Sequence, residues 1–203
     1  MARIEAGGKR ARAVAAEGFS LKNPRWAFFT LLWSFSALAV AFSVLPLGRP
    51  IWPIIAALAL AFFALEVRLQ AGRLDFRLKA VKNALYAGVA FLVLAVAAQA
   101  AGESLGLWKT RGSYLALGPV PAELALAAFF GGAGWALYLP RKKDVVFSAF
   151  DTALFAIFGT LGEWVLAFNG LLAYGAGWGY PHAFASYVIA WAVLHWARYE
   201  FLG

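Results

Sequence analysis

Residues 106–140 read GLWKTRGSYLALGPVPAELALAAFFGGAGWALYLP. The first half is polar and rich in turn residues. From Pro119 onward it becomes an apolar run of alanine, glycine and aromatic residues, ending at Leu139-Pro140 against Arg141, Lys142 and Lys143. After Glu123 that run carries no charge, and its length suits a bilayer core, which takes about 20 residues of helix. Basic residues just beyond an apolar run mark where the chain leaves the lipid. Gly131, Gly132 and Gly134, with Ala125, Ala127 and Ala128, would let a neighbouring helix approach closely.

Working outward, three apolar runs precede this one (26–45, 51–67 and 83–101) and two follow it (145–172 and 183–201), the central run itself spanning 119–139. The expected fold is therefore all-α, an integral membrane bundle of six transmembrane helices over 26–203, preceded by a basic cytoplasmic tail, 1–25. Lipid leaves no other form for such runs, because every backbone polar group must be satisfied within its own helix. Composition agrees: 63% of the 203 residues are hydrophobic and 14% charged, against about 45–50% and about 25% in soluble domains. The first run is longer than a cleavable signal core and reads as a retained anchor. The 145–172 run exceeds what a bilayer requires, so it must tilt, protrude or break, with Gly159 and Gly162 the candidate break points.

The net charge of +8 is distributed by position. With the N-terminus inside, fifteen of the 18 lysines and arginines fall on cytoplasmic segments. The positive-inside rule thus gives N-in/C-in and a multi-pass protein of the inner (plasma) membrane, with the lipid bilayer as its partner. Trp26, Trp52, Trp108, Trp178, Tyr180 and Tyr199 sit at span ends, as an interfacial aromatic belt requires. The basic residues are not gathered on one helix or sheet face, so no nucleic acid is expected.

The chain has no cysteine and two histidines. No metal is expected from so thin a ligand set, and no cofactor, since no phosphate-binding or dinucleotide fingerprint is present. Ionisable groups within spans are costly and become the functional candidates. Asp151 and His195 lie at similar depth on consecutive antiparallel spans. They read either as an ion or proton path or as a buried hydrogen bond joining two helices. Glu66, near the end of its span, reads as an interfacial charge beside Arg68. Glu123 and Glu163 both fall toward the outer face. There they are either solvated or the acids of a pocket walled by Trp108, Asn169, Trp178, Tyr180 and His182. A carboxyl in apolar surroundings can stay protonated and act as a general acid.

Gly106-Leu107-Trp108, a polar connection, Gly118-Pro119-Val120-Pro121-Ala122-Glu123 and the later Phe129-Phe130 together resemble the membrane lycopene cyclase domain family over about 35 residues of the chain. Glu123 matches the first glutamate of that family's proline-hydrophobic-X-Glu-Glu element, and Leu124 stands where the second is expected. The aromatic doublet falls two positions later than in the family. The resemblance implies an isomerase of carotenoid biosynthesis, which protonates a polyene end group to begin ring closure. The leading expectation is thus a membrane-embedded enzyme acting on a lipid-soluble, isoprenoid-like substrate, with Glu123 and Glu163 catalytic. The alternatives are a small transporter or channel-like protein using Asp151 and His195, and a non-enzymatic membrane subunit.

Overall fold

The computed structural model describes residues 47–71, 78–140, 143–175 and 177–201, all within a compact unit, Ala39–Gly203. The expected basic tail 1–25 and first span 26–45 lie outside the described residues, as do Arg73, Arg77, Arg141 and Lys142. Five helices are described: α1 (Ile51–Ala71), α2 (Leu78–Ser104), α3 (Ala122–Tyr138), α4 (Val145–Phe168) and α5 (Tyr180–Phe201). Three of them, over Ile51–Gln70, Ala80–Ser104 and Val145–Phe168, are long and apolar enough to cross a membrane. The protein is mostly helical and belongs in a bilayer. Large apolar side chains such as Val89, Val93, Phe150, Ile157, Ile189 and Val193 are exposed on the helices, a surface suited to lipid. Such a surface would aggregate in water.

The helices depart from the expected runs for local reasons. The apolar run 145–172 neither breaks at Gly159 nor at Gly162; α4 is continuous through both and stops at Phe168. Asn169 and Gly170 end it. Gly170 takes a positive φ of 70°, and the Leu171 amide donates back to the Leu166 carbonyl at 2.8 Å. This left-handed helix stop is open to glycine at no steric cost. The other end of α4 is fixed by Asp144, whose side chain accepts from the Phe147 amide at 3.0 Å. α3 is shorter than its apolar run because Val120 and Pro121 are drawn into a strand. Its 17 residues span about 25 Å, at about 1.5 Å each. α2 extends past its expected limits at both ends, and α5 begins earlier, with Pro181 in its first turn.

The connections carry four short strands the sequence did not signal: β1 (Trp108–Thr110), β2 (Ala116–Leu117), β3 (Val120–Pro121) and β4 (Leu172–Tyr174). β1 pairs antiparallel with β4, Trp108 opposite Tyr174, and β2 pairs with β3. These strands gather the connections after α2 and after α4 at one end of the bundle, here called the strand end. The turn before α1 joins them. Gly48 donates to Asn169 Oδ1 at 3.1 Å, Arg49 reaches the Gly112 carbonyl at 3.0 Å, and Trp52 Nε1 donates to the Arg111 carbonyl at 2.9 Å. Beneath them Ile51, Trp52, Val165 and Leu171 make a buried apolar cluster. At the opposite end Gln70 donates to the Leu137 carbonyl at 2.9 Å and Tyr199 to that of Pro140 at 3.2 Å.

α3 lies against α1 and α2, and α4 pairs with α5. Small residues set how closely α3 is approached. A Cβ at Gly88 of α2 would sit 2.6 Å from the Phe129 carbonyl oxygen, and one at Gly134 of α3 would sit 3.2 Å from the Phe63 backbone. Gly131, by contrast, faces open space. Gly88→Ala is therefore expected to force α2 from α3 and to cost about 1–3 kcal/mol, read as a lowered unfolding midpoint in mild detergent. Gly131→Ala should leave that midpoint unchanged or raised.

Candidate functional site

Helices α4 and α5 meet along a seam that repeats every four residues. On α4 the positions are Asp151, Phe155, Gly159 and Glu163; on α5, running the other way, they are His195, Trp191 and Tyr187. Residues four apart share a helix face, so the two sets oppose each other rung by rung. His195 meets Asp151, with Nε2 2.8 Å from Oδ2. The Trp191 ring stacks on Phe155, centroids 4.7 Å apart and 16° from parallel. Tyr187 fills the notch at Gly159, where a Cβ would come within 2.7 Å of the phenol ring. That notch brings the Tyr187 hydroxyl within hydrogen-bonding reach of Glu163.

The first rung is the most deeply placed polar group among the described residues. Asp151 is 0% exposed and His195 4%. Trp135 of α3 adds a third helix, its Nε1 donating to the same Asp151 Oδ2 at 2.8 Å and its ring edge-on to the His195 ring at 5.0 Å. The Tyr199 ring stacks on His195, centroids 6.2 Å apart. An indole N–H can only donate, so Oδ2 accepts from Trp135 in every protonation state. Whether His195 Nε2 donates to Oδ2 or accepts from it is set by the imidazole tautomer. Asp151 Oδ1, His195 Nδ1, and the neighbouring Tyr138 and Ser148 hydroxyls are buried and have no hydrogen-bond partner among the described residues. Glu66, near the end of α1 and expected as an interfacial charge beside Arg68, is buried within the protein at 5% exposure.

The last rung is built differently. Glu163 Oε2 accepts from the Tyr174 hydroxyl at 2.5 Å. Tyr174 sits on β4, beyond the end of α4, and its ring meets Tyr180 edge-on at 5.2 Å. Burial, then the hydrogen bond to Glu163 and that residue's charge, push the Tyr174 phenol well above its ordinary range. Tyr174 therefore stays protonated as a donor.

The two glutamates have separate partners. Glu123, in the first turn of α3, accepts from Ser113 Oγ at 2.6 Å and from the Tyr114 amide at 2.9 Å. It pins the connection before α3 to that helix, and none of its partners is shared with Glu163. Of the aromatic residues expected in a pocket, Trp108, Trp178 and His182 do come together. Their rings are 5.2 Å apart for the first pair and 5.3 Å for the second. Trp108 Nε1 is held by Gln99 Oε1 at 3.0 Å. Tyr180 lies against Tyr174 instead, and Asn169 serves the end of α4. Among the described residues, no three His, Asp or Glu side chains converge as a metal ion would need.

Trp135, Tyr174 and Tyr187 were not singled out in the sequence. Tyr187 and Trp191 could have been, because they continue the four-residue step back from His195. Trp135 and Tyr174 carry no such signal, since their roles depend on packing between elements distant in the chain. In comparisons with known proteins, no family model, characterised protein or solved structure matches the chain.

Removing the imidazole would leave Asp151 buried with the indole alone. His195→Ala is expected to cost about 3–5 kcal/mol of stability, as breaking one side of a buried pair does. Trp135→Phe, which removes one neutral donor, should cost about 1–3 kcal/mol. Thermal unfolding in detergent, followed by tryptophan fluorescence, measures the first and circular dichroism the second.

Proposed function

We propose that the protein moves protons within the membrane, as a small transporter or channel-like protein, with Asp151 and His195 as the exchanging pair. The single observation that supports this is a carboxylate with no exposure, shared by an imidazole and an indole, beside an imidazole nitrogen left without a partner among the described residues. Magnitudes favour function over glue. An aspartate at the centre of a spanning helix costs about 2.5–3.5 kcal/mol on insertion scales, a ceiling for Asp151, which lies nearer the start of α4. An interhelical hydrogen bond in a membrane returns about 0.6 kcal/mol on average, and about 2 at most. At the average value two such bonds fall short of that ceiling, and apolar residues of similar size would join the helices as well.

The chemistry follows from the donor inventory. With Asp151 ionised and His195 neutral, Nε2–H donates to Oδ2 and Nδ1 offers a lone pair. A proton arriving at Nδ1 makes an imidazolium against the carboxylate. Transfer of the Nε2 proton to Oδ2 then leaves a neutral ring protonated at Nδ1 beside a neutral carboxyl; release of the carboxyl proton and return of the ring to its Nε2–H form complete the cycle. The protein would sit in the inner membrane as six spans, N-in and C-in, which the distribution of lysine and arginine supports.

A second reading is favoured by the Glu163 cluster: an enzyme acting on a lipid-soluble, isoprenoid-like substrate, with Glu163 as the acid and the nearby rings stabilising a cationic intermediate. Glu123 would then hold the connection in place. Expression in a lycopene-producing host tests it; an unchanged pigment profile with folded protein removes the carotenoid version.

For the first reading, purified protein in vesicles with a trapped pH-sensitive dye should dissipate an imposed pH gradient. Asp151→Asn should slow this by about a hundredfold, the lower range for loss of a positioned acid–base group. Wild-type flux in Asp151→Asn overturns the reading.

A further inference from the structure

The seam holds a second carboxyl that the Asp151–His195 pair does not use. Glu163 lies twelve positions along α4 from Asp151, about 18 Å at about 1.5 Å per residue. Between them the interface is closed by rings. Trp191 stacks on Phe155, Phe91 of α2 meets Trp191 edge-on at 5.5 Å and Trp135 at 5.1 Å, and Tyr187 fills the notch at Gly159. Among the described residues, no carboxyl, imidazole or amine occupies the rungs between. The two polar stations therefore face opposite ends of the bundle across an aromatic barrier.

Glu163 is connected to its own end. Tyr174 donates to it at 2.5 Å from the strand β4, and Tyr187 lies within reach from α5. Tyr174 lies in the connection beyond α4, against Tyr180. Gly175, next to it, donates its amide to the Leu107 carbonyl at 2.9 Å, so this tyrosine belongs to the ordered strand end. A phenol can accept a proton at oxygen while passing its own to a neighbour.

Resting on the proton-moving reading, we infer that Glu163 is a second proton-exchange site. It serves the strand end through Tyr174 and is separated from Asp151–His195 by the Phe155–Trp191 stack. In the exchange step, water at the strand end gives a proton to the Tyr174 oxygen as the phenol's own proton moves to Glu163 Oε2. The carboxylate becomes a neutral acid, Tyr174 is restored as a phenol, and a hydroxide is left in the water to be neutralised by buffer. No electron pair leaves the protein. Among the described residues, the titratable groups facing Glu163 are Tyr174 from β4 and Tyr187 from α5.

The test is infrared difference spectroscopy of oriented proteoliposomes while the pH on the strand-end side is stepped. The expected result is a protonated-carboxyl stretch that follows that pH, is lost in Glu163→Gln and persists in Asp151→Asn. No such band, or one untouched by Glu163→Gln, overturns the inference. Should Glu163→Gln fail to fold, Tyr174→Phe serves instead: loss of one donor should shift the band's frequency, and an unshifted band overturns the inference. The two proposals fail separately. Wild-type proton flux in Asp151→Asn removes the proton-moving reading, whereas lost flux there with an unaltered carboxyl band in Glu163→Gln removes the second site alone.

Discussion

A carboxylate with no water around it must share its charge with groups the protein brings to it, and at Asp151 three helices supply them. α4 provides the acid, α5 the imidazole and α3 the indole. In lipid there is little hydrophobic drive to bring helices together, so directional contacts of this kind fix which faces meet. Once His195 is opposite Asp151, antiparallel geometry dictates the rest of the seam. Trp191 must fall on Phe155 and Tyr187 on position 159, where only glycine leaves room for the ring. The placement of Glu163 beside a tyrosine hydroxyl is the last consequence of that register.

The strand end does a different job with different groups. There the chain leaves apolar surroundings, and backbone polar groups need partners outside any helix. The turn before α1 and the connections after α2 and α4 supply them to one another, through β1–β4 pairing and through Arg49, Trp52 and Asn169. Glu103 and Gln99 support the same region. Glu103 Oε1 accepts from the Thr110 amide at 2.8 Å and its hydroxyl at 2.7 Å. Glu123 extends the pattern to the start of α3. These carboxylates act as clamps on loops, and their many partners set them apart from Asp151, which keeps one oxygen unpaired among the described residues.

The membrane character and the existence of each described helix were legible in the sequence, because both follow from uninterrupted apolar length. Helix ends were less so. Hydropathy carried the 145–172 run past Asn169-Gly170, although that pair is a recognisable stop, and it merged Val120-Pro121 into α3. The strands were invisible, since two- and three-residue pairings depend on loops far apart in sequence meeting at one end. Asp151 with His195 was legible from depth alone, because equal burial on consecutive antiparallel helices places two groups side by side. Glu123 with Glu163 was not: depth put them near one face, while rotation about their helix axes, which depth does not encode, gave each its own partners.

The four-residue ladder has a bearing on which changes the chain can absorb. Side chains between Asp151 and Glu163 that face lipid can be exchanged freely among apolar types. Length cannot. One residue inserted or deleted there would turn everything beyond it by about 100°, swinging one carboxyl into the seam only by taking the other out. The segment should therefore drift by substitution and never by indel, and chimaeras cut within it would join halves whose faces no longer agree.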